Sequence, residues 1–178
     1  MKSVLTILAA LLFLSASAQH NQTKNGLIVL SGSYKGSALK AESKQLHASF
    51  NYERGEMVMH VAVPQVVTAN ETLKRLFVSM VGADLLFHGT LSNGHVHTKS
   101  HGKLLQQYNG TFTFRGVLKP FKLAATLEHF PSGNISCVFT GNYLLNLLDF
   151  GIPAPPGENL VQVSFRQLLL KKAGEEQQ

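Results

Sequence analysis

The stretch GTFTFRGVLKPFKL, residues 110–123, carries the pattern that runs through most of the chain. In its first half polar and apolar residues alternate, which places Phe112 and Phe114 on one face of a β-strand. Residues 116–120 contain glycine and proline and predict a turn. Alternation resumes at Phe121, so the stretch predicts two antiparallel strands joined as a hairpin.

The same period of two extends outward from this hairpin in both directions. Many short alternating segments are typical of a β-sandwich or a β-barrel, and the period alone does not separate the two. Asn93-Gly94 and Asn109-Gly110 are the strongest hairpin-turn signals, and residues 35–44 are interpreted as a connection. We expect an all-β, antiparallel fold of about eight strands. Besides the first hairpin strand at residues 111–115, strands are predicted at residues 27–30, 46–51, 57–63, 85–91, 95–107, 121–127, 135–145 and 161–165.

One short helix interrupts the strands. Thr68 followed by Glu71 forms a capping-box pattern that predicts its start, and Gly82 predicts its end. Between them, apolar residues recur at helical spacing and form one face, which either packs on the core or closes one end of a barrel. The residues of this face are Leu73, Leu76, Phe77 and Met80.

The N-terminus reads as a secretory signal peptide. Lys2 is followed by an apolar segment over residues 4–14 and by the small residues 16–18, a pattern typical of cleavage after Ala18. We therefore expect a periplasmic or secreted protein that begins at Gln19. The predicted organisation is a signal peptide at 1–18, one β-barrel domain at 19–172 and a disordered tail at 173–178.

The charge of the chain limits the classes of partner that it can bind, and its cysteine content limits disulfide formation. The net charge is +6, but the basic residues are scattered and form no aromatic-interleaved stripe of the kind that binds single-stranded nucleic acid. A basic exported protein is compatible with peripheral contact with an anionic membrane. Cys137 is the only cysteine, so no internal disulfide forms. The oligomeric state leaves no signature in the sequence.

Three stretches resemble one known family. Residues 110–123, residues 139–152 (FTGNYLLNLLDFGI) and the helix-to-strand segment at 75–91 are similar to motifs of the YceI-like, or polyisoprenoid-binding-protein-like, proteins. The resemblance implies an eight-stranded, lipocalin-like barrel capped by a helix, a periplasmic or secreted location, and an isoprenoid or other amphipathic chain inside the barrel. Arg115 departs from the pattern, because many members carry histidine there.

Six aromatic residues are the candidate ligand-binding residues, because alternation places them all on inward faces. An eight-stranded barrel has room either for packed side chains or for one small ligand. The leading hypothesis is therefore a lipid- or isoprenoid-binding protein. The alternative is a structural or interaction protein with a filled core and no ligand. The candidate lining residues are Phe112, Phe114, Phe121, Phe139, Tyr143 and Phe165.

Metal binding and catalysis have weaker support. His95, His97 and His101 share one strand face, but no carboxylate or cysteine lies among them, and a solvated face explains them better than a metal site does. The chain has only two aspartates, Asp84 and Asp149, and no nucleophile elbow or phosphate-binding loop. We expect no enzyme activity, no metal and no cofactor.

Overall fold

The structure, a computed structural model, describes residues 20–80, 82–93, 99–132 and 135–170. The signal peptide, the tail, His95 and His97 lie outside these ranges. Short 3-10 turns cover Val63–Gln65 and Leu147–Phe150. The main elements are β1 (His20–Tyr34), β2 (Ser37–Asn51), β3 (Glu56–Ala62), β4 (Val67–Thr68), α1 (Glu71–Ser79), β5 (Asp84–Leu91), β6 (His101–Phe114), β7 (Val117–His129), β8 (Ile135–Asn146) and β9 (Leu160–Leu170).

The sheet closes on itself through β1. Every neighbouring pair is antiparallel, in the order β1-β9-β8-β7-β6-β5-β3-β2, and β1 pairs again with β2. The closing ladder runs from the Tyr34–Ser37 pair to the His20–Asn51 pair. The two-residue strand β4 pairs with β2 at Ala41 and Glu42, on the same edge of β2 as β3. The eight long strands therefore form one barrel, and the predicted fold class is confirmed.

The β6–β7 hairpin corrects two predicted turns. β6 passes straight through Asn109 and Gly110, and the turn consists of Arg115 and Gly116 alone. Both turn residues have positive φ, 51° and 76°, as a two-residue hairpin turn requires. Gly110 serves a close approach of strands instead, because a Cβ there would overlap the carbonyl oxygen of His88. The turn predicted at 116–120 is likewise wrong, since β7 begins at Val117.

The predicted connection at residues 35–44 is also wrong. Only Lys35 and Gly36 turn the chain, and β2 begins at Ser37. Ala41 and Ser43 are buried while their neighbours are exposed, so the period of two is present. Sequence analysis missed it because small and polar residues occupy the inward positions.

Helix α1 lies across one end of the barrel. Asn70, not Thr68, caps it: its Oδ1 accepts hydrogen bonds from the backbone N–H groups of Thr72 (3.0 Å) and Leu73 (3.1 Å). Thr68 instead donates its hydroxyl to the carbonyl oxygen of Lys40 at 2.8 Å. The helix ends at Ser79, before the predicted stop, and its apolar face packs on the core. Within the described ranges no helix has the length and apolar character needed to cross a bilayer.

The close approach at Gly110 is testable by substitution. Gly110→Ala should lower the free energy of unfolding by about 1–3 kcal/mol, the usual cost of overpacking, because the neighbouring backbone cannot move aside cheaply. Gly102→Ala on the same strand is the matched control, since a Cβ there meets no atom within 4 Å. Urea denaturation measures both. Equal effects of the two substitutions would contradict the interpretation.

Candidate ligand-binding site

All six aromatic candidates face the barrel interior. Phe139 is completely buried, and Phe112, Phe114 and Phe165 are nearly so. Phe121 and Tyr143 retain partial exposure. The predicted direction of these side chains is therefore what the structure shows. Whether they contact a ligand stays a prediction.

Ring-to-ring contacts fill the centre of the barrel. The ring centroids of Phe139 and Phe165 are 5.1 Å apart, and Tyr143 lies 6.4 Å from Phe165. Tyr143 also contacts Phe112 at 5.9 Å and Phe121 at 5.2 Å. These spacings are those of well-packed aromatic pairs. Most of the six candidates thus pack against one another.

An apolar cavity of about 70 Å³ lies beneath α1. Its roof is the apolar face of the helix, including Leu73 and Met80, and Phe114 and Val161 contribute to its walls. Phe114 is the only one of the six candidates that lines it. Pockets for drug-sized ligands are about 300–1,000 Å³. A long chain therefore needs the cavity to expand, by rotation of its side chains or by movement of α1.

The wall of the barrel is interrupted between β7 and β8. The two strands pair only from His129–Cys137 to Ala125–Gly141, whereas β6 pairs with β7 along its full length. Residues 117–124 of β7 and 142–146 of β8 therefore do not pair with each other, and we call this interruption the seam. Pro120 lies within it and offers no N–H to a ladder.

Aromatic side chains occupy the inner side of the seam. Phe121 projects from β7 and Tyr143 from β8, and their rings meet edge to face. Their position at this break in the wall accounts for their partial exposure. The Tyr143 hydroxyl makes no hydrogen bond to any residue that the structure describes. Burial raises the pKa of this hydroxyl above its ordinary value, so it stays protonated and can donate.

Lys119 is a seam residue that sequence analysis did not select. It pairs directly with Phe112 across β6 and β7, so the two side chains start on the same, inward face. Lys119 is nevertheless exposed, because the seam opens this part of the inner face to solvent. The alternation could have identified it, because Lys119 lies two residues before Phe121 and therefore falls on the same strand face.

The end of the barrel opposite α1 holds a hydrogen-bonded polar cluster. Nδ1 of His129 lies 2.9 Å from Nε2 of His101, and Nε2 of His129 lies 3.4 Å from the Tyr52 hydroxyl. The Tyr52 hydroxyl also lies 3.7 Å from Sγ of Cys137. Among the described residues, no group of three or more His, Cys, Asp or Glu side chains is placed to hold a metal ion. His101 therefore belongs to this cluster.

Burial favours the uncharged forms of His129 and Cys137 in this cluster. Burial, with a smaller contribution from His101, lowers the pKa of His129 to about 4. Burial also raises the pKa of the Cys137 thiol to about 11, against a smaller opposing effect of the hydrogen bond with Tyr52. A protonated thiol is a poor nucleophile, so the buried Cys137 is an unreactive residue.

Comparison with known proteins establishes similarity of fold. No protein-family model and no curated protein sequence matches the chain. A polyisoprenoid binding domain from Saccharophagus degradans, implicated in plant cell wall breakdown, matches at a TM-score of 0.70 and 11% identity over 87% of this chain and 99% of that one. BcnA from Burkholderia cenocepacia matches at 0.59 and 12% over 83% and 96%. The implied lipocalin-like barrel fold is thereby confirmed.

The lowered pKa of His129 predicts a pH-dependent stability. The unfolded chain takes up a proton near pH 6.5 but the folded chain only near pH 4, so stability is complete above pH 6.5 and falls as the pH drops toward 4. Urea denaturation at pH 7 and pH 5 measures the loss. His129→Gln should reduce it. His60→Gln is the control, because His60 is only half-buried and pairs with Asp84 at 3.1 Å. An undiminished loss in His129→Gln would refute the assignment.

Proposed function

We propose that this chain is an exported, non-enzymatic protein that binds a hydrophobic or amphipathic chain, such as an isoprenoid or a fatty acyl chain, beneath α1. The observation that carries the proposal is the apolar cavity of about 70 Å³ under the helix. The polyisoprenoid-binding description of the Saccharophagus degradans domain supports this class of ligand. No cofactor or catalytic group takes part.

Side chains in the roof of the cavity can change position. Leu76 and Met80 are only partly buried, and methionine adapts its shape to irregular spaces. α1 has nine residues and is joined to the barrel by short connections. Because each buried methylene contributes about 0.8 kcal/mol, a chain that buries several of them offsets the cost of shifting these side chains.

The filled barrel remains the second candidate, and a specific observation favours it. The aromatic rings at the centre already contact one another, which leaves no channel from end to end. A structural or interaction protein with a solid core needs no more than this. The two candidates differ in the cavity beneath α1, because only a binding protein uses it.

Filling the cavity tests the proposal. Val161→Phe should weaken binding of the neutral chains dodecanol and farnesol at least about tenfold, because the ring takes the space of several methylenes. Displacement of a neutral fluorescent dye measures the affinity, and thermal melting confirms folding. Leu76→Trp fills the same space from α1 if Val161→Phe does not fold. Val78→Phe on the exposed face of α1 is the control.

Two outcomes would refute the binding function. One is unchanged affinity in both cavity-filling variants. The other is the absence of any bound lipid by native mass spectrometry of protein from its own host, together with no dye binding by the wild type. That second result would favour the solid-core candidate.

We further propose export and peripheral contact with an anionic membrane. The N-terminal pattern and the net charge of +6 support them. So do Leu118 and Leu144, which flank the seam and are 65% and 55% exposed. Protein recovered from the host should begin at Gln19 by intact mass. It should sediment with phosphatidylglycerol vesicles and release at high salt; equal sedimentation with phosphatidylcholine vesicles would contradict an electrostatic contact.

A further inference from the structure

The seam holds two polar groups that a purely apolar ligand would not need. A closed barrel protects its strand edges by pairing them, yet residues 117–124 and 142–146 leave two edges facing each other. The edge of β7 carries Pro120 and two lysines, Lys119 and Lys122. Pro120 and the outward-pointing Lys122 are what protection of a strand edge requires.

Lys119 does not fit a protective role. Its register opposite Phe112 places its Cβ on the inner face of the wall, where an ammonium group is costly unless it reaches water or an anion. It forms no ion pair with any carboxylate that the structure describes. Its Cβ therefore starts on the inner face and its side chain is exposed at the seam, where the ammonium group is available to a ligand.

The Tyr143 hydroxyl is the second group. The Tyr143 ring lies 5.9 Å from that of Phe112, the cross-strand partner of Lys119. Lys119 and Tyr143 thus lie on the two strands that flank the same short opening, Lys119 exposed and Tyr143 partly buried on its inner side. Both donate hydrogen bonds, and an ammonium group accepts none. This pair of donors suits a carboxylate or a phosphate.

A row of aromatic rings connects the seam with the cavity. Phe112 lies 5.6 Å from Phe150, and Phe150 lies 5.9 Å from Phe114, which lines the cavity beneath α1. Rotation of these rings offers an apolar path for a chain whose polar end stays at the seam. The acidic head and the chain would then be separated along one continuous site.

We propose that the seam between β7 and β8 is a subsite for the acidic head group of an amphiphile, held by Lys119 and Tyr143, with the chain directed toward the cavity beneath α1. This inference rests on the proposed binding function. It narrows the ligand class from hydrophobic chains in general to those that end in a carboxylate or a phosphate.

Matched pairs of ligands test the subsite. Dodecanoate is compared with dodecanol, and farnesyl phosphate with farnesol, in the dye-displacement assay at low salt. The wild type should prefer the acid in at least one pair, and the pair that shows the preference tells a fatty acid from an isoprenyl phosphate. Lys119→Gln should weaken binding of that acid about fivefold, the size of one partly exposed ion pair, and leave the alcohol within about twofold.

Three further variants locate the effect. Tyr143→Phe retains the ring and removes the hydroxyl, and should weaken the acid selectively. Lys122→Gln removes the same charge from the outer face of the same strand, and should change neither ligand. Arg115→Gln tests a rival position, because Arg115 borders a separate open cleft beside the end of α1.

The outcomes separate this inference from the proposed function. Equal affinity of the wild type for acid and alcohol would overturn the head-group subsite and leave the binding function standing. Loss of acid preference in Arg115→Gln or Lys122→Gln, with none in Lys119→Gln, would also overturn it. Failure of the wild type to bind any of the four compounds would overturn both.

Discussion

Closure of the sheet through β1 sets what the interior can hold. Because β1 pairs with β9 on one side and with β2 on the other, the inward side chains of all eight strands share one space. That space is wide enough for packed side chains or for one small ligand. Phe112, Phe139 and Phe165 take up the centre, so the remaining space lies at the end beneath α1.

Large aromatic rings fit inside this narrow barrel because glycines stand next to some of them on the strands. A Cβ on Gly141 would lie 2.6 Å from the ring of Phe165, and one on Gly89 equally close to the ring of Phe87. Gly141 is also the residue at which the ladder between β7 and β8 stops. A glycine marks close approach and bending of a strand. Gly141 therefore has two effects: it leaves room for the ring of Phe165 at the centre, and it marks the point where the seam begins.

The sequence predicts most of the strands well because burial on one face imposes a period of two, whereas the choice of a barrel over a sandwich rests on the family resemblance. That period located β3, β5, β7, β8 and β9, and it placed all six aromatic candidates inward. It failed where small inward residues replace large ones, as Ala41 and Ser43 do in β2. It also failed at Gly110, because a glycine that permits close approach has the same sequence signal as one that permits a turn.

The candidate site was harder to predict, because it depends on what the fold leaves unpaired or unfilled. Alternation alone cannot tell that the rings pack together at the centre while space remains under α1. Nor can alternation tell that Lys119 and its neighbours on β7 lie beside a break in the wall. The cluster of His129 with His101 required knowing which strands are neighbours, although His129 has inward parity.

The two ends of the barrel differ in what opening them would cost. At the end opposite α1, buried polar groups such as His129 and Tyr52 bond to one another, and separating them would leave groups unsatisfied at about 1–3 kcal/mol each. At the other end the side chains of α1 that cover the cavity make apolar contacts, so shifting them breaks no hydrogen bond that the structure describes. The seam adds an opening on the side of the wall. Opening the helix end or the seam is thus the less costly route for a hydrophobic chain into the cavity.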